Sequence, residues 1–193
     1  MKLVLASQSP QRQSLLKKLC IPFETHPADI DESELPGETA LELVKRLSLE
    51  KAKAVAPDYQ DALIIGSDQV ATFNGDIIGK PLTEDNAVKQ LMAFSGHSVT
   101  FLTGLALLNT TTGNAQETIE PVTVHFRSLT EKQIRTYVKQ EQPLQCAGSF
   151  QVERLGITLF TKVEADDPNT LVGLPLIQLT TFLHNAGLPI LDA

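Results

Sequence analysis

A short polar segment at residues 7–12 contains the first side chains that could do chemistry. It reads Ser-Gln-Ser-Pro-Gln-Arg and directly follows an apolar run, Leu3–Ala6. This order predicts a strand, a turn and a helix that begins at the proline. The hydroxyls of Ser7 and Ser9, the backbone N–H groups at a helix start and the guanidinium of Arg12 are groups that bind phosphate oxygens. The segment therefore predicts a site for a phosphorylated small molecule, and an ordinary helix cap is the alternative interpretation.

Carboxylates at two further places could hold a cation or activate water. Asp68 follows Ala62–Gly66, a continuous apolar run that predicts a strand buried on both faces. Ligands of open α/β sheets bind at the carboxyl ends of strands, where a carboxylate can bind a divalent cation or act as a general base. Asp31 and Glu32 lie in an acidic loop. If either approaches Asp68, the pair makes a half-site for Mg²⁺, whereas a turn aspartate and a solvated loop are the alternatives.

Two lysines are candidate phosphate ligands. Lys80 follows a hairpin signal and lies in a Gly-Lys-Pro sequence, and Lys53 lies on a predicted helix, where a plain surface position is the alternative. The segment around Lys80 does not form a Walker A loop, because only three residues separate Gly75 from Gly79 and a proline follows the lysine. No GxGxxG sequence is present, so a dinucleotide site of the Rossmann type is not predicted.

The elements that must position these residues alternate between strands and helices. We expect strands near 2–6, 22–27, 62–66, 98–108, 118–127 and 156–161, with a hairpin at Asn74-Gly75. We expect helices near 9–19, 39–56, 83–95, 130–140 and 175–186. This pattern predicts the α/β class, with a mixed sheet and flanking helices.

Composition excludes several classes of function. The net charge is −7 and no basic run occurs, so binding along a nucleic acid polymer is not expected. No apolar run of about 18 residues predicts a membrane span, and no secretory signal is visible, so we expect a cytoplasmic protein. Cys20 and Cys146 are far apart and are expected to be free thiols. The four histidines form no i, i+4 pair, which argues against zinc.

Several short segments occur in a fixed order along nearly the whole chain: Ser7–Arg12, Asp31-Glu32, Glu50–Ala52, Gly66–Gln69, Gly79–Pro81, Tyr137, Cys146–Phe150, Gly156 and Asn169–Pro175. In this order and spacing they resemble the Maf family of nucleoside triphosphate pyrophosphatases. The resemblance implies cleavage between the α and β phosphates of a nucleotide, with a divalent metal such as Mg²⁺ or Mn²⁺. It also implies a single domain over residues 1–193, in which an elongated mixed sheet forms two lobes around a cleft, similar to the inosine-triphosphatase fold.

The resemblance also assigns roles to individual residues. Asp68 matches the position taken as the catalytic base of the family. The polar residues that match those lining the cleft are Ser7, Arg12, Glu32, Lys53 and Lys80. A metal held by Asp68 and Glu32 would bridge phosphate oxygens, and the triphosphate would be held by Arg12, Lys53, Lys80 and the helix start at Ser9. Whether Asp68 is mainly a metal ligand or a base is left open by the sequence.

Three positions resemble the branch of the family that acts on 7-methyl-GTP. Gln11 stands where the family usually has an arginine, Gln69 stands where the branch that cleaves dTTP and UTP has threonine, and Glu153 is the third. N7-methylated guanine is cationic, so a neutral Gln11 avoids repulsion. The Glu153 carboxylate can accept from the N1–H and N2–H₂ donors of guanine, and Gln69 offers a donor and an acceptor. A pyrimidine would leave that carboxylate poorly paired.

Two alternatives remain at this stage. One is a pyrophosphatase that acts on dTTP and UTP. The other is a non-enzymatic regulator of cell division, because the family is linked to septum formation. The expected partner is a small-molecule nucleotide, and a homodimer is possible for this fold.

Overall fold

The computed structural model describes residues 1–191, and within them the chain forms seven strands and five α-helices. The strands are β1 (Lys2–Leu5), β2 (Glu24–Thr25), β3 (Ala62–Phe73), β4 (Asp76–Ile78), β5 (Ser98–Asn109), β6 (Ala115–Phe126) and β7 (Phe160–Glu164). The helices are α1 (Pro10–Leu16), α2 (Ala40–Val55), α3 (Glu84–Phe94), α4 (Glu131–Glu141) and α5 (Leu176–Asn185). No helix in residues 1–191 is long and apolar enough to cross a membrane.

All seven strands belong to one sheet, in the order β2-β1-β3-β5-β6-β7, with β4 paired to β3. β1 is parallel to both β2 and β3, whereas β3 with β4 and β6 with β7 are antiparallel. The predicted mixed α/β sheet with flanking helices is therefore confirmed.

The chain divides into two compact units. The first unit comprises Met1–Gln69, Thr103–Glu120 and the chain from Asp167 onward. The second unit comprises Val70–Leu102 and Pro121–Asp166.

In the first unit, alternate residues of β1 and β3 enter two different core layers. One face contributes Leu3, Leu5, Leu63 and Ile65, which pack with residues of α1 and α5. The other face contributes Val4, Ala6, Ala62 and Ile64, which pack with Ala52 and Val55 of α2. Because a strand alternates its side chains, helices on both faces require the continuous apolar runs seen in the sequence.

Glycines bring α2 unusually close to the sheet. A Cβ atom on Gly66 of β3 would lie 1.9 Å from the carbonyl oxygen of Ser48, and one on Gly104 of β5 would lie 2.3 Å from that of Val44. Any side chain at either position would push the helix away. The close approach fixes which residues of α2 face the strand after Gly66.

β3 is longer than the sequence predicted, and the expectation that Asp68 lies at a strand end is wrong. The strand continues through Val70–Phe73, where it pairs with β4, with Ala71 opposite Ile78. Its parallel neighbour β1 ends at Leu5, however, opposite Ile65. Asp68 therefore lies inside its own strand but just past the carboxyl end of β1, which is the kind of position where α/β sheets bind ligands.

In the second unit, phenylalanines form a core between the sheet and the helices α3 and α4. The rings in edge or tilted contact are Phe73, Phe94, Phe101, Phe126, Phe150 and Phe160. The strand predicted at 156–161 is wrong, because Leu155–Leu159 is a 3₁₀ helix and β7 begins at Phe160. The N–H of Gly156 donates to the Gln151 carbonyl at 3.1 Å, so this stretch folds back on itself instead of extending.

Candidate active site

A buried lysine joins the two carboxylates that the sequence singled out. Nζ of Lys51 donates to Oδ1 of Asp68 at 2.7 Å and lies 2.7 Å from Oε1 of Glu32. The side chains of Lys51 and Asp68 are buried, whereas that of Glu32 is half-exposed. The condition stated for a half-site, that a carboxylate of the acidic loop approaches Asp68, is therefore met by Glu32, while Asp31 is exposed and accepts from the N–H of Ser33 at 2.9 Å.

Lys51 was not among the predicted site residues, although the sequence carried a signal for it. It lies four residues after Leu47 and four before Val55, on the buried face of α2. A lysine at a core position of an amphipathic helix needs a buried charge partner, and such a position is uncommon unless it is paired.

Lys53 lies on the exposed side of α2, two residues beyond Lys51. Two residues correspond to roughly 200° around a helix, so the two lysines leave it in nearly opposite directions. Within the described residues 1–191, the ammonium of Lys53 has no ion pair or hydrogen bond. The structure therefore brings Lys51, and not Lys53, to Asp68, and a phosphate role for Lys53 stays a prediction.

Arg46 fixes the loop that carries Glu32. Its guanidinium contacts the Glu38 carboxylate through Nε at 2.6 Å and Nη2 at 2.7 Å, donates to the Ser33 carbonyl at 3.0 Å, and reaches Glu50 at 3.0 Å. These hydrogen bonds lower the pKa of Glu38 to about 2. The loop thus stays attached to α2 next to the residue that approaches Asp68.

Arg12 is held by a backbone carbonyl from a distant part of the chain. Its Nε donates to the oxygen of Gly173 at 2.8 Å, and the hydroxyl of Ser67 donates to the same oxygen at 3.1 Å. Gly173 has a φ of +116°, which favours glycine. Burial lowers the pKa of Arg12, whereas the carboxylates of Asp68 and Glu32 raise it. The guanidinium therefore interacts electrostatically with both carboxylates. No residue in 1–191 accepts a hydrogen bond from the two terminal NH₂ groups of Arg12.

The segment that precedes Arg12 forms a conventional helix cap. The Ser9 hydroxyl accepts from the Arg12 N–H at 3.4 Å and donates to Oε1 of Gln11 at 3.1 Å, while the Ser7 hydroxyl accepts from the Ser9 N–H at 3.1 Å. Capping, one of the two interpretations offered by the sequence, is therefore confirmed. Phosphate binding by Ser7 and Ser9 stays a prediction, as does the role of Gln11 in specificity.

Gln69 uses its amide nitrogen inside the first unit. Nε2 donates to the hydroxyl of Thr103 at 2.8 Å and to the carbonyl of Thr170 at 2.9 Å, and it lies 3.4 Å from the carbonyl oxygen of Leu171. Two carbonyl oxygens on the same side require the nitrogen there, which fixes the amide orientation. Nε2 of Gln69 is therefore engaged within the first unit, and a role of this residue in base recognition stays a prediction. Its Oε1 remains as the group that could recognise a ligand.

Lys80 and Glu153 lie in the second unit, and both are exposed. Burial raises the pKa of the Cys146 thiol, which the charges of Glu153 and Lys80 also influence in opposite directions. The two predicted residues therefore lie in the same electrostatic neighbourhood. Cys146, whose sulfur accepts from Nε2 of Gln151 at 3.3 Å, is a free thiol, as is Cys20.

The donor set around Lys51 limits the kind of metal site that could form there. In the described part of the chain, no group of three or more His, Cys, Asp and Glu side chains could hold a metal ion. Two carboxylates are what Mg²⁺ commonly takes from a protein when the substrate supplies phosphate oxygens. Asp68 and Glu32 already converge on one cationic group, the Lys51 ammonium, so their placement suits a cation.

Comparison with known protein families finds one match over almost the full length. The family model described as Maf-like protein matches residues 2–186. A protein of Pseudoalteromonas translucida named 7-methyl-GTP pyrophosphatase is 54% identical over 191 residues, which cover 99% of this chain and 95% of that protein. A protein of the same name from Pseudomonas aeruginosa is 54% identical over 188 residues, which cover 97% and 98% of the two chains.

Solved structures with a similar fold include two Ham1 proteins. The one from Staphylococcus aureus has a TM-score of 0.55 and 14% identity, covering 96% of this chain and 100% of its own. The one from Coxiella burnetii has a TM-score of 0.52 and 16% identity, covering 96% and 99%. This likeness concerns the fold alone.

Proposed function

The chain belongs to the family of Maf-like proteins, and from this premise we propose that it is a nucleotide pyrophosphatase whose substrate is 7-methyl-GTP. The products would be 7-methyl-GMP and diphosphate. Identity of 54% to two proteins named for this activity, over nearly the whole length of each, supports the substrate. The arrangement of Lys51 between Asp68 and Glu32 is the single structural observation that carries the chemistry.

Asp68 acts as the general base toward the attacking water. Water adds across the anhydride bond between the α and β phosphates, that bond breaks, and one proton passes to the Asp68 carboxylate. Lys51 orients this carboxylate through its 2.7 Å hydrogen bond and supplies a positive charge where the phosphates would lie. Its buried stem keeps the ammonium in place.

Arg12 binds phosphate oxygens with its terminal NH₂ groups. The hydrogen bond from Nε to Gly173 fixes the guanidinium before substrate arrives, so less conformational entropy is lost on binding. Ser7, Ser9, Lys53 and Lys80 are further candidates for phosphate contacts.

We also propose that the reaction requires a divalent cation, Mg²⁺ or Mn²⁺, for which Asp68 and Glu32 are the protein ligands. When bound, such a cation neutralises the charge of the phosphates and polarises the bond that breaks. Whether Asp68 acts more as ligand or as base is then an experimental question.

The side chains that would recognise the nucleobase of the substrate are Gln11, Gln69 and Glu153. A carboxylate at Glu153 attracts the cationic 7-methylguanine and accepts from its N1–H and N2–H₂ groups. Oε1 of Gln69 offers an oriented acceptor, and Gln11 adds no positive charge. We also propose a cytoplasmic location, where the two free thiols would stay reduced. A homodimer is a further proposal, which sedimentation would test.

The experiment is pyrophosphate release from 7-methyl-GTP, GTP, dTTP and UTP, each with Mg²⁺ or Mn²⁺. We expect preferential release from 7-methyl-GTP. Preference for dTTP or UTP would keep the chemistry but overturn the role given to Gln11, Gln69 and Glu153. No release from any of them would contradict the proposed activity and favour the regulator of cell division.

A further inference from the structure

Glu141, at the end of α4, is a buried carboxylate that the proposed reaction does not use. Its side chain is only 3% exposed, although an unpaired carboxylate is costly to bury. Oε2 accepts the backbone N–H of Leu155 at 3.0 Å, and Oε1 lies 2.8 Å from Nε of Arg154. Both contacts reach the chain immediately after Glu153.

Tyr137 lies one turn earlier on the same face of α4. Its buried hydroxyl accepts the backbone N–H of Gln151 at 3.3 Å. Residues at i and i+4 of a helix lie side by side, so α4 holds the segment Gln151–Leu155 at both ends. The N–H of Arg154 also donates to the Gln151 carbonyl at 3.3 Å, which closes the segment into a tight turn. Glu153 lies inside this turn and is exposed.

We propose that Glu141, assisted by Tyr137, is a positioning residue that sets selectivity for a cationic base by fixing the turn that carries Glu153 and by binding Arg154. The inference rests on the proposed function, because it concerns how Glu153 discriminates between 7-methyl-GTP and GTP. It deepens that function by assigning part of the discrimination to residues that need not touch the nucleotide.

Charge explains why Glu141 would affect selectivity. The side chain of Arg154 is 63% exposed and immediately follows Glu153 in the chain, so without Glu141 its guanidinium would be available to pair with the Glu153 carboxylate. A neutralised Glu153 would no longer attract a cationic base more than a neutral one, and the arginine itself would repel it. The pairing with Glu141 prevents this competition.

The test is the ratio of kcat/KM for 7-methyl-GTP to that for GTP. Glu141→Gln keeps an acceptor for the Leu155 N–H but removes the charge that binds Arg154. We expect it to lower the ratio about tenfold, mainly by weakening use of 7-methyl-GTP. In a Glu153→Gln background the same change should have no further effect on the ratio. Adding Arg154→Gln to Glu141→Gln should restore most of the ratio, because the competing cation is gone.

Glu131→Gln is the matched control. Glu131 is exposed at the start of α4 and pairs with Arg135, so its loss should leave the ratio unchanged. If Glu141→Gln fails to fold, Tyr137→Phe replaces it, since this variant removes only the acceptor of the Gln151 N–H and should also lower the ratio.

The outcomes separate this inference from the proposed function. Relative dissociation constants of the two nucleotides for Asp68→Asn protein measure the binding preference without turnover. A wild-type protein with no preference for 7-methyl-GTP in either assay contradicts both proposals. If the wild type prefers 7-methyl-GTP and Glu141→Gln leaves that preference intact, this inference alone is overturned. The same holds if Glu141→Gln lowers kcat/KM equally for both nucleotides. A preference that Glu153→Gln does not change also overturns it, because Glu141 is proposed to act through that residue.

Discussion

The ammonium of Lys51 lies 2.7 Å from Oδ1 of Asp68, although the two residues belong to different elements of the first unit. The contact exists because α2 packs directly on β3, and Lys51 occupies the position of a core residue on that helix. A charged pair buried in this way is weak support for stability, since each ion must be desolvated. Its position past the end of β1 suits a catalytic role better than a structural one.

Replacing Lys51 is the first prediction. Lys51→Gln should lower kcat for 7-methyl-GTP by about 100-fold or more, since it removes both the orienting hydrogen bond of Asp68 and a charge near the phosphates. Steady-state pyrophosphate release measures this effect. Lys45→Gln, on an exposed position of the same helix, is the matched control and should retain full activity. Because Lys53 is exposed, Lys53→Gln should lower kcat less than Lys51→Gln does. Equal losses in the two variants would contradict this account and support a phosphate-binding role for Lys53.

Gly66 provides a test of how the site is positioned. Gly66→Ala would place a methyl group 1.9 Å from the Ser48 carbonyl oxygen, so α2 must move away from β3. We expect a loss of about 2–4 kcal/mol in the free energy of unfolding, measured by urea denaturation, with reduced activity at temperatures where the protein stays folded. Gly79→Ala is a suitable control, because a Cβ atom there meets nothing within 4 Å. Equal stability of the two variants would contradict the packing described for α2.

The hydroxyl of Thr103 should matter through Gln69. It accepts from Nε2 of Gln69 and donates to the Thr170 carbonyl at 3.2 Å, and the residue is fully buried. Thr103→Val should cost about 1–3 kcal/mol of unfolding free energy, because a buried donor loses its partner. It should also lower the preference for 7-methyl-GTP, because the Gln69 side chain loses one of the three groups that hold its amide nitrogen in place. Thr103→Ser keeps the hydroxyl and should retain the preference, and a loss in both variants would contradict this account.

Acid should loosen the loop that carries Glu32. Hydrogen bonds from Arg46 lower the pKa of Glu38 from 4.5 to about 2, so the folded state binds fewer protons than the unfolded state between these values. The resulting stability is fully present above about pH 4.5 and is lost as the pH falls toward 2. Urea denaturation at several pH values should show a smaller acid dependence for Glu38→Gln than for wild type. Glu131→Gln, in an exposed pair, should behave as wild type, and identical acid profiles for all three proteins would refute the role of Arg46.

Local sequence pattern was enough to predict much of the fold. The unbroken apolar run at Ala62–Ile65 correctly indicated a strand covered on both faces, because each face needs apolar side chains. The same reasoning ended β3 too early, since the polar residues Ser67–Gln69 look like a turn between the apolar run and the predicted hairpin. It also extended a strand into 156–161, where a backbone contact from Gly156 to Gln151 turns the chain instead.

The site itself depends on contacts that no local pattern records. Arg12 is held by the carbonyl of Gly173, which is 161 residues away in the chain. Lys53 was preferred to Lys51 through the resemblance, and the buried partner of Lys51 becomes evident only once α2 is known to pack on β3 at Gly66. Likewise, the amide nitrogen of Gln69 donates to the carbonyl of Thr170, a residue that the sequence could not place beside it.

The most direct test compares wild-type protein with Asp68→Asn for pyrophosphate release from 7-methyl-GTP, with Mg²⁺ present or removed by a chelator. Asparagine has the same shape as aspartate but cannot accept the proton, so the fold should persist, as circular dichroism and thermal unfolding would verify. The account predicts release by the wild type that requires the metal, and a loss of about 1,000-fold or more in Asp68→Asn. A folded Asp68→Asn protein that retains most of the activity would contradict the central claim that Asp68, paired with Lys51, carries the reaction.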